Sequence, residues 1–294
     1  MINRQIKTAL LDMLSKFPVV TITGVRQCCK STFLKNVLPD YKYISLEDPD
    51  IRDLATNDPR GMLNYYGDRV IIDEAQRVPE LFSYLQTEID SRDKCGQYVL
   101  SGSHNFLLMQ SISQSLAGRV AVFNMTPFSV RELSEAGLPP SSIDEYLLKG
   151  SYPRLYDKKI SPKEYFNSYT QTYVERDVRL LKNIANIAQF RFFLQLCCAR
   201  VGSVLNVAEL ARDACVSTVT ANNWLSILEA SFILYRLQPY FKNYSKRIIK
   251  SPKIYFYDTG LLCYMLNIFN SRQLAASGLR GNIFECMVVN EIIK

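Results

Sequence analysis

The sequence predicts an α/β fold, a parallel sheet with helices on both faces, followed by a helical region that contains a winged helix. Three observations carry that expectation. Up to about residue 130, short β-branched apolar runs alternate with helix-compatible stretches, the rhythm of βαβ units. One such strand-to-helix junction holds Gly24-Val25-Arg26-Gln27-Cys28-Cys29-Lys30-Ser31. Farther on, residues 203–253 pair two short helical patterns across a tight turn and close on a basic segment.

Taken in order, Met1–Lys16 carries Ile2, Ile6, Leu10, Met13 and Leu14 near helical spacing and reads as a helix packed on the sheet. Strands follow near Val19, Tyr43, Val70, Tyr98 and Val120, with helices between them. The run Val19-Val20-Thr21-Ile22-Thr23 leads into the Gly24 loop, and Thr32 to Leu38 continues as a helix. The loop fits the phosphate-binding pattern G-x-x-x-x-G-K-[ST] at Gly24, Lys30 and Ser31, while Cys29 stands where the second glycine belongs. In that pattern the backbone N–H groups of residues 24–32 (Val25, Arg26, Gln27, Cys28, Cys29 and Thr32 included) and the helix N-terminus face an anion. Lys30 would reach the outer phosphates and the Ser31 hydroxyl would bind Mg²⁺.

A second element follows in the expected order. Arg69-Val70-Ile71-Ile72-Asp73-Glu74 is an apolar run ending in two carboxylates, the form of a Walker B strand. Asp73 would hold Mg²⁺, mostly through water, and Glu74 would polarise the attacking water. Tyr98-Val99-Leu100-Ser101 ends at a polar tip, where Ser103, with Asn105 second, is the candidate sensor of the γ-phosphate. A helix from about Asn105 to Ala117 then meets Gly118, a natural C-terminal cap. Arg119, between that helix and the next strand, is placed either as an arginine finger acting on a neighbouring subunit's nucleotide or as an ordinary surface arginine. Residues 1–130 thus read as a P-loop nucleoside triphosphatase domain.

Beyond it, Pro139-Pro140-Ser141-Ser142 marks a change of character, and residues 131–202 read as a helical connector. Its aromatics Tyr165, Phe166, Tyr169 and Tyr173 are assigned to core packing. In the 203–253 segment, Asn206 caps a first helix to Cys215 and Ser217 a second from Thr218 through Leu228. Val207, Leu210, Ala211, Val216, Val219, Leu225 and Leu228 are expected to close its core. Thr220 and Asn223 would face a DNA groove, and Lys246, Arg247 and Lys250 would contact phosphates. The same segment also suits a protein-interaction module. Residues 254–294, with Glu285, read as the opening of a truncated nuclease-like domain of the PD-(D/E)XK type, in which Glu285 would ligate metal only in a longer product.

Several stretches together resemble prokaryotic AAA-type P-loop ATPases that carry a C-terminal domain of unknown function. They include Ile44–Asp50, Ile71–Leu81, Leu100–Ser103, Ser115–Val120, Lys149–Pro153, Tyr173–Val178 and Tyr255–Gly260. The resemblance covers essentially the whole chain and implies ATP binding and hydrolysis.

Composition agrees with that class. The 294 residues allow more than one domain, and 48% apolar side chains supply real cores. No run approaches the roughly 18 apolar residues of a membrane span, and the N-terminus lacks a signal-peptide core. Eight cysteines, with adjacent pairs at Cys28-Cys29 and Cys197-Cys198, lack zinc spacing and suit the reducing cytoplasm. A net charge of +7 permits contact with nucleic acid. Two readings stay open: a Mg²⁺-dependent ATPase whose nucleotide state moves the winged helix, and a pseudo-ATPase scaffold that binds DNA or protein. Cys29 divides them, because a misplaced Cβ there costs about 1–3 kcal/mol, or about one to two decades of affinity.

Overall fold

The computed structural model describes residues 2–102, 105–174, 186–242 and 250–294. The chain folds as two compact units, Met1–Thr126 and Pro127–Lys294. In the first, helix α1 (Ile6–Leu14) precedes β1 (Val19–Gly24), α2 (Lys30–Val37) and β2 (Lys42–Ser45). Helices α3 (Pro49–Asn57) and α4 (Pro59–Tyr66) lead to β3 (Val70–Asp73), then α5 (Leu81–Arg92), β4 (Tyr98–Ser101), α6 (Asn105–Ser115) and β5 (Val120–Met125).

All five strands are parallel and lie in the order β2-β3-β4-β1-β5. The three inner strands are buried along their whole length, which is why VVTITG, VIID and YVLS are nearly unbroken apolar runs. The edge strands β2 and β5 are half-exposed, and β2 carries Lys42 and Ser45 in its four residues. Leu81, Phe82 and Leu85 of α5 pack against Ile44, Ile72 and Leu100 on one face of the sheet. The helix starts obey local chemistry: Asp48 and Asp58 cap α3 and α4 through the N–H groups of Asp50 and Gly61, each with proline in the first turn.

Strand β4 enters between β1 and β3. Its register sets Ser101 beside Ile22, and Leu100 beside Ile72, so the tip of β4 is level with Asp73 and lies between the loop and the acidic strand end. This arrangement positions the site.

Two expectations change at the N-terminus and at the first unit's last helix. Helix α1 starts at Ile6, not near Met1, and just before it the Arg4 guanidinium is buried and donates to the carbonyls of Cys28 (3.3 Å) and Thr126 (2.6 Å). Helix α6 ends at Ser115, and Gly118 makes the turn with φ +78°.

The second unit is mainly helical. Tyr165, Phe166 and Tyr169 are buried against Tyr152, with ring centroids 5.0–5.7 Å from it. They are core aromatics, while the Tyr173 side chain lies outside the described residues. Asn206 caps the helix Val207–Asp213, and Ser217 caps the helix Thr218–Ala230. In the latter Ala221, Trp224, Leu225 and Leu228 form the buried face. Val219 was expected among them and is instead 70% exposed. Two residues before Ala221 is about 200° around a helix, the opposite side. Strands β6 (Leu234–Leu237) and β7 (Lys253–Phe256) pair antiparallel after the two helices. The segments expected at 131–202, 203–253 and 254–294 all fall within this one compact unit.

The buried carboxylate of Asp258 organises part of it. It caps the helix Thr259–Met265 through Leu261 N–H (2.8 Å) and accepts from both Ser151 N–H (2.7 Å) and Ser151 Oγ (3.1 Å). Burial raises its pKa above the ordinary carboxylate value, against the pull of these donors and of Lys294. No helix among the described residues is long and apolar enough to cross a membrane.

Candidate functional site

The loop of residues 24–29 joins the end of β1 to the start of α2. Gly24 opens it at φ +132°, where an added Cβ would stand 2.1 Å from the Met125 carbonyl oxygen. Neighbouring β5 runs so close that only glycine fits. Val25 and Cys28 are buried, whereas Gln27 and Cys29 face solvent. Cys29 adopts φ 62°, ψ 37° as the residue preceding α2, the left-handed backbone that glycine takes freely. Gln27 shares it at φ 62°. The second glycine of the pattern is therefore missing at a position whose backbone asks for one.

Lys30 opens α2 and is buried. Its ammonium donates to the carbonyls of Gly24 (3.1 Å) and Val25 (3.0 Å), so the cation lies along the inner wall of the loop. Burial lowers its pKa from the ordinary 10.5, with Cys28, Glu74 and Asp73 opposing that shift.

Asp73, at the end of β3, is where the separate segments converge. Its Oδ2 accepts from Ser31 Oγ at 2.6 Å and from Tyr43 Oη at 2.6 Å, and its Oδ1 accepts from Ser101 Oγ at 2.5 Å. Three hydroxyls thus surround one buried carboxylate, one each from α2, β2 and β4. Burial and the bond to Asp73 push the Tyr43 phenol up to about 12, so it stays a donor at physiological pH. Glu74 follows with a left-handed backbone (φ 52°), which turns the chain away from the strand, and it accepts a hydrogen bond from the Gln76 amide. Gln76 in turn lies against Gly102, where a Cβ would approach its Oε1 to 2.1 Å.

The structure thus brings together Gly24, Lys30, Ser31 and Asp73, with Glu74 next in the chain. Asn105 begins α6, and Ser103 lies outside the described residues. Arg119 precedes β5 at the other end of the sheet, with its carbonyl accepting from Val19 N–H. Five residues of strand at about 3.3 Å each separate that end from Gly24. Its guanidinium pairs with Asp90 through two bonds of 2.6 and 2.9 Å. Sequence reasoning missed Tyr43, Ser101, Gln76 and Arg4. Only Ser101 had a signal: a serine ending an otherwise apolar buried run beside the loop strand.

In the second unit, Thr220 is half-buried and its N–H is capped by Ser217, while Asn223 and Lys250 are exposed. Lys246 and Arg247 lie outside the described residues. Glu285 accepts from Lys253 Nζ (2.8 Å) and Tyr255 Oη (2.5 Å), and these bonds hold its pKa below the ordinary value. All eight cysteines are free thiols.

Residues 16–134 match a family model described as an AAA domain, and residues 140–272 match one described as a domain of unknown function, DUF8612. The chain is 30% identical over 295 residues to the uncharacterized proteins Rv2008c of Mycobacterium tuberculosis and Mb2031c of Mycobacterium bovis. Both alignments take in 99% of this chain, which spans 65% of the length of these relatives. Among solved structures, the chain resembles the Walker-type ATPase PABY2304 of Pyrococcus abyssi, with a TM-score of 0.58 and 15% identity. That likeness covers 90% of this chain and 96% of the other and is one of fold. With the AAA-domain match, it gives the chain an AAA-type P-loop ATPase fold, which supports nucleotide binding.

Proposed function

We propose that this P-loop ATPase fold binds ATP with magnesium and hydrolyses it, and that the winged-helix segment responds to the nucleotide state. The observation that carries the reading is the convergence on Asp73 of Ser31 from the loop helix and Ser101 from β4, beside the buried ammonium of Lys30. Ser31 and Asp73 offer only oxygen donors, 2.6 Å apart. That set fits a small, hard cation that completes its octahedron with phosphate oxygens and water. Bound there with ATP, magnesium would supply neutralisation of charge on the β- and γ-phosphate oxygens.

The rest is the work of the chain's own residues. The N–H groups of residues 25–32 and the start of α2 would take the phosphates, and Lys30 would exchange neutral carbonyl acceptors for anionic ones. Glu74 would orient the attacking water and accept its proton, with Gln76 steadying the carboxylate. The polar tip of β4, with Ser103 and Asn105, would sense the γ-phosphate. Arg119, remote from the loop of its own subunit, would serve as a finger only for a neighbour in a homo-oligomer.

Glu74→Gln tests the hydrolytic role directly. The variant should bind ATP as the wild type does and release no phosphate, and unchanged phosphate release would sink the assignment.

The left-handed backbone at Cys29 favours a second reading, a pseudo-ATPase whose first unit is a scaffold. In either case Thr220, Asn223, Lys246, Arg247 and Lys250 are the candidate DNA contacts. The two capped helices followed by an antiparallel strand pair support that part.

A further inference from the structure

Tyr43 belongs to neither the loop nor the acidic strand. It lies in β2 at the sheet's outer edge, yet its hydroxyl reaches Asp73. We propose that Tyr43 is a positioning residue for the metal: it fixes the Asp73 carboxylate so that one acceptor position remains for a metal-bound water. The inference rests on the ATP-binding reading above.

An ionised carboxylate offers about four lone-pair positions. Ser31 and Tyr43 take those of Oδ2, both at 2.6 Å, and Ser101 takes one of Oδ1 at 2.5 Å. The position left is on Oδ1. Of the three donors, Ser31 is itself a candidate metal ligand, so its hydroxyl cannot be the fixed support of Asp73. Ser101 and Tyr43 can be, and Tyr43 is the one that holds the same oxygen as Ser31. Its strand pairs with β3 in register, Tyr43 beside Ile71 and Ser45 beside Asp73. On the other side, Lys35 Nζ of α2 stands 3.6 Å from the Tyr43 ring centroid. The ring therefore links the helix that carries Lys30 and Ser31 to the strand that carries Asp73. A loss of the phenol oxygen would leave ring, cation contact and strand pairing intact; it would free the carboxylate and remove the hydroxyl's weaker contacts with Ser31 and Ser45.

Mn²⁺ is the probe, followed by electron paramagnetic resonance in the presence of a non-hydrolysable ATP analogue. Tyr43→Phe should weaken the Mn²⁺ affinity of the protein–nucleotide complex about tenfold, the effect of one charge-assisted hydrogen bond. Nucleotide affinity in EDTA should stay as in the wild type. Tyr41→Phe is the control, because its hydroxyl donates to the Gly96 carbonyl at 2.7 Å, away from Asp73. That variant should keep the full metal affinity. Metal affinity unchanged or raised in Tyr43→Phe, or lowered equally in Tyr41→Phe, would overturn the role of Tyr43 and leave ATP binding standing. A wild type that binds no nucleotide, with or without metal, would overturn the ATP-binding reading and this inference with it.

Discussion

Replacing Cys29 by glycine tests the reading of the loop most sharply, because the structure fixes both sign and size. Cys29 holds φ 62°, ψ 37°. A left-handed backbone costs an L-residue about 1–2 kcal/mol. Glycine removes that cost but loosens the unfolded chain, which returns about 0.4–1 kcal/mol. The net gain is about 1 kcal/mol of stability. For the unit Met1–Thr126, unfolding entropy near 2.1 cal/mol/K per residue sums to roughly 0.26 kcal/mol/K, so the midpoint should rise by about 4 °C. If the loop takes phosphates as proposed, removing the side chain should also tighten ATP binding by about one decade. Thermal melts followed by circular dichroism read the first effect, and calorimetric ATP titration reads the second. A midpoint that stays or falls, together with unchanged affinity, would show that Cys29 sits in its conformation without strain and would refute the argument.

Other outcomes follow from the same geometry. Burial lowers the Lys30 pKa below 10.5, so the unfolded chain binds more protons at this site than the folded one. Stability contributed there rises with pH between the lowered value and 10.5, and Lys30→Met should abolish that rise in urea melts across the window. Arg119→Ala should leave ATP affinity unchanged and lower turnover about a thousandfold only where subunits assemble. An equal loss in dilute monomer would contradict a role in trans. Replacing Lys246, Arg247 and Lys250 together by alanine should flatten the salt dependence of DNA binding by about 0.9 per lost phosphate contact, measured by fluorescence anisotropy. Thr220 or Asn223 variants should change sequence preference instead. An unchanged slope in the triple variant would make the segment a protein-interaction module.

All five strands of the sheet were legible, the inner ones most plainly. Val19–Gly24, Val70–Asp73 and Tyr98–Ser101 are apolar because both faces of a parallel sheet are covered. Their spatial order was not legible, since the pairing of β4 with both β1 and β3 joins segments far apart in the chain. The same holds for Tyr43 and Ser101. They meet Asp73 across 30 and 28 residues, and apart from the serine that ends the apolar run of β4 nothing local points to a carboxylate. Helix starts were readable from caps, as at Asn206 and Ser217. Helical phase was less so: Val219 looked like a core residue by type, and only the buried run of Ala221, Trp224, Leu225 and Leu228 shows it on the wrong side. The stretches Lys149–Pro153 and Tyr255–Gly260 had no mechanism in sequence. In the fold they meet, with Asp258 bonded to Ser151 and Gly150 leaving room for its carboxylate.

Calorimetric titration of ATP into the wild type and Lys30→Ala, each with Mg²⁺ and with EDTA, tests the central claim most directly. The buried ammonium on the loop wall and the Ser31–Asp73 pair predict two results. The wild type should bind ATP more tightly with Mg²⁺ than with EDTA, and Lys30→Ala should bind in neither condition. Equal affinities for both proteins in both conditions would contradict the account, because neither the lysine nor the oxygen pair would then be holding phosphate or metal.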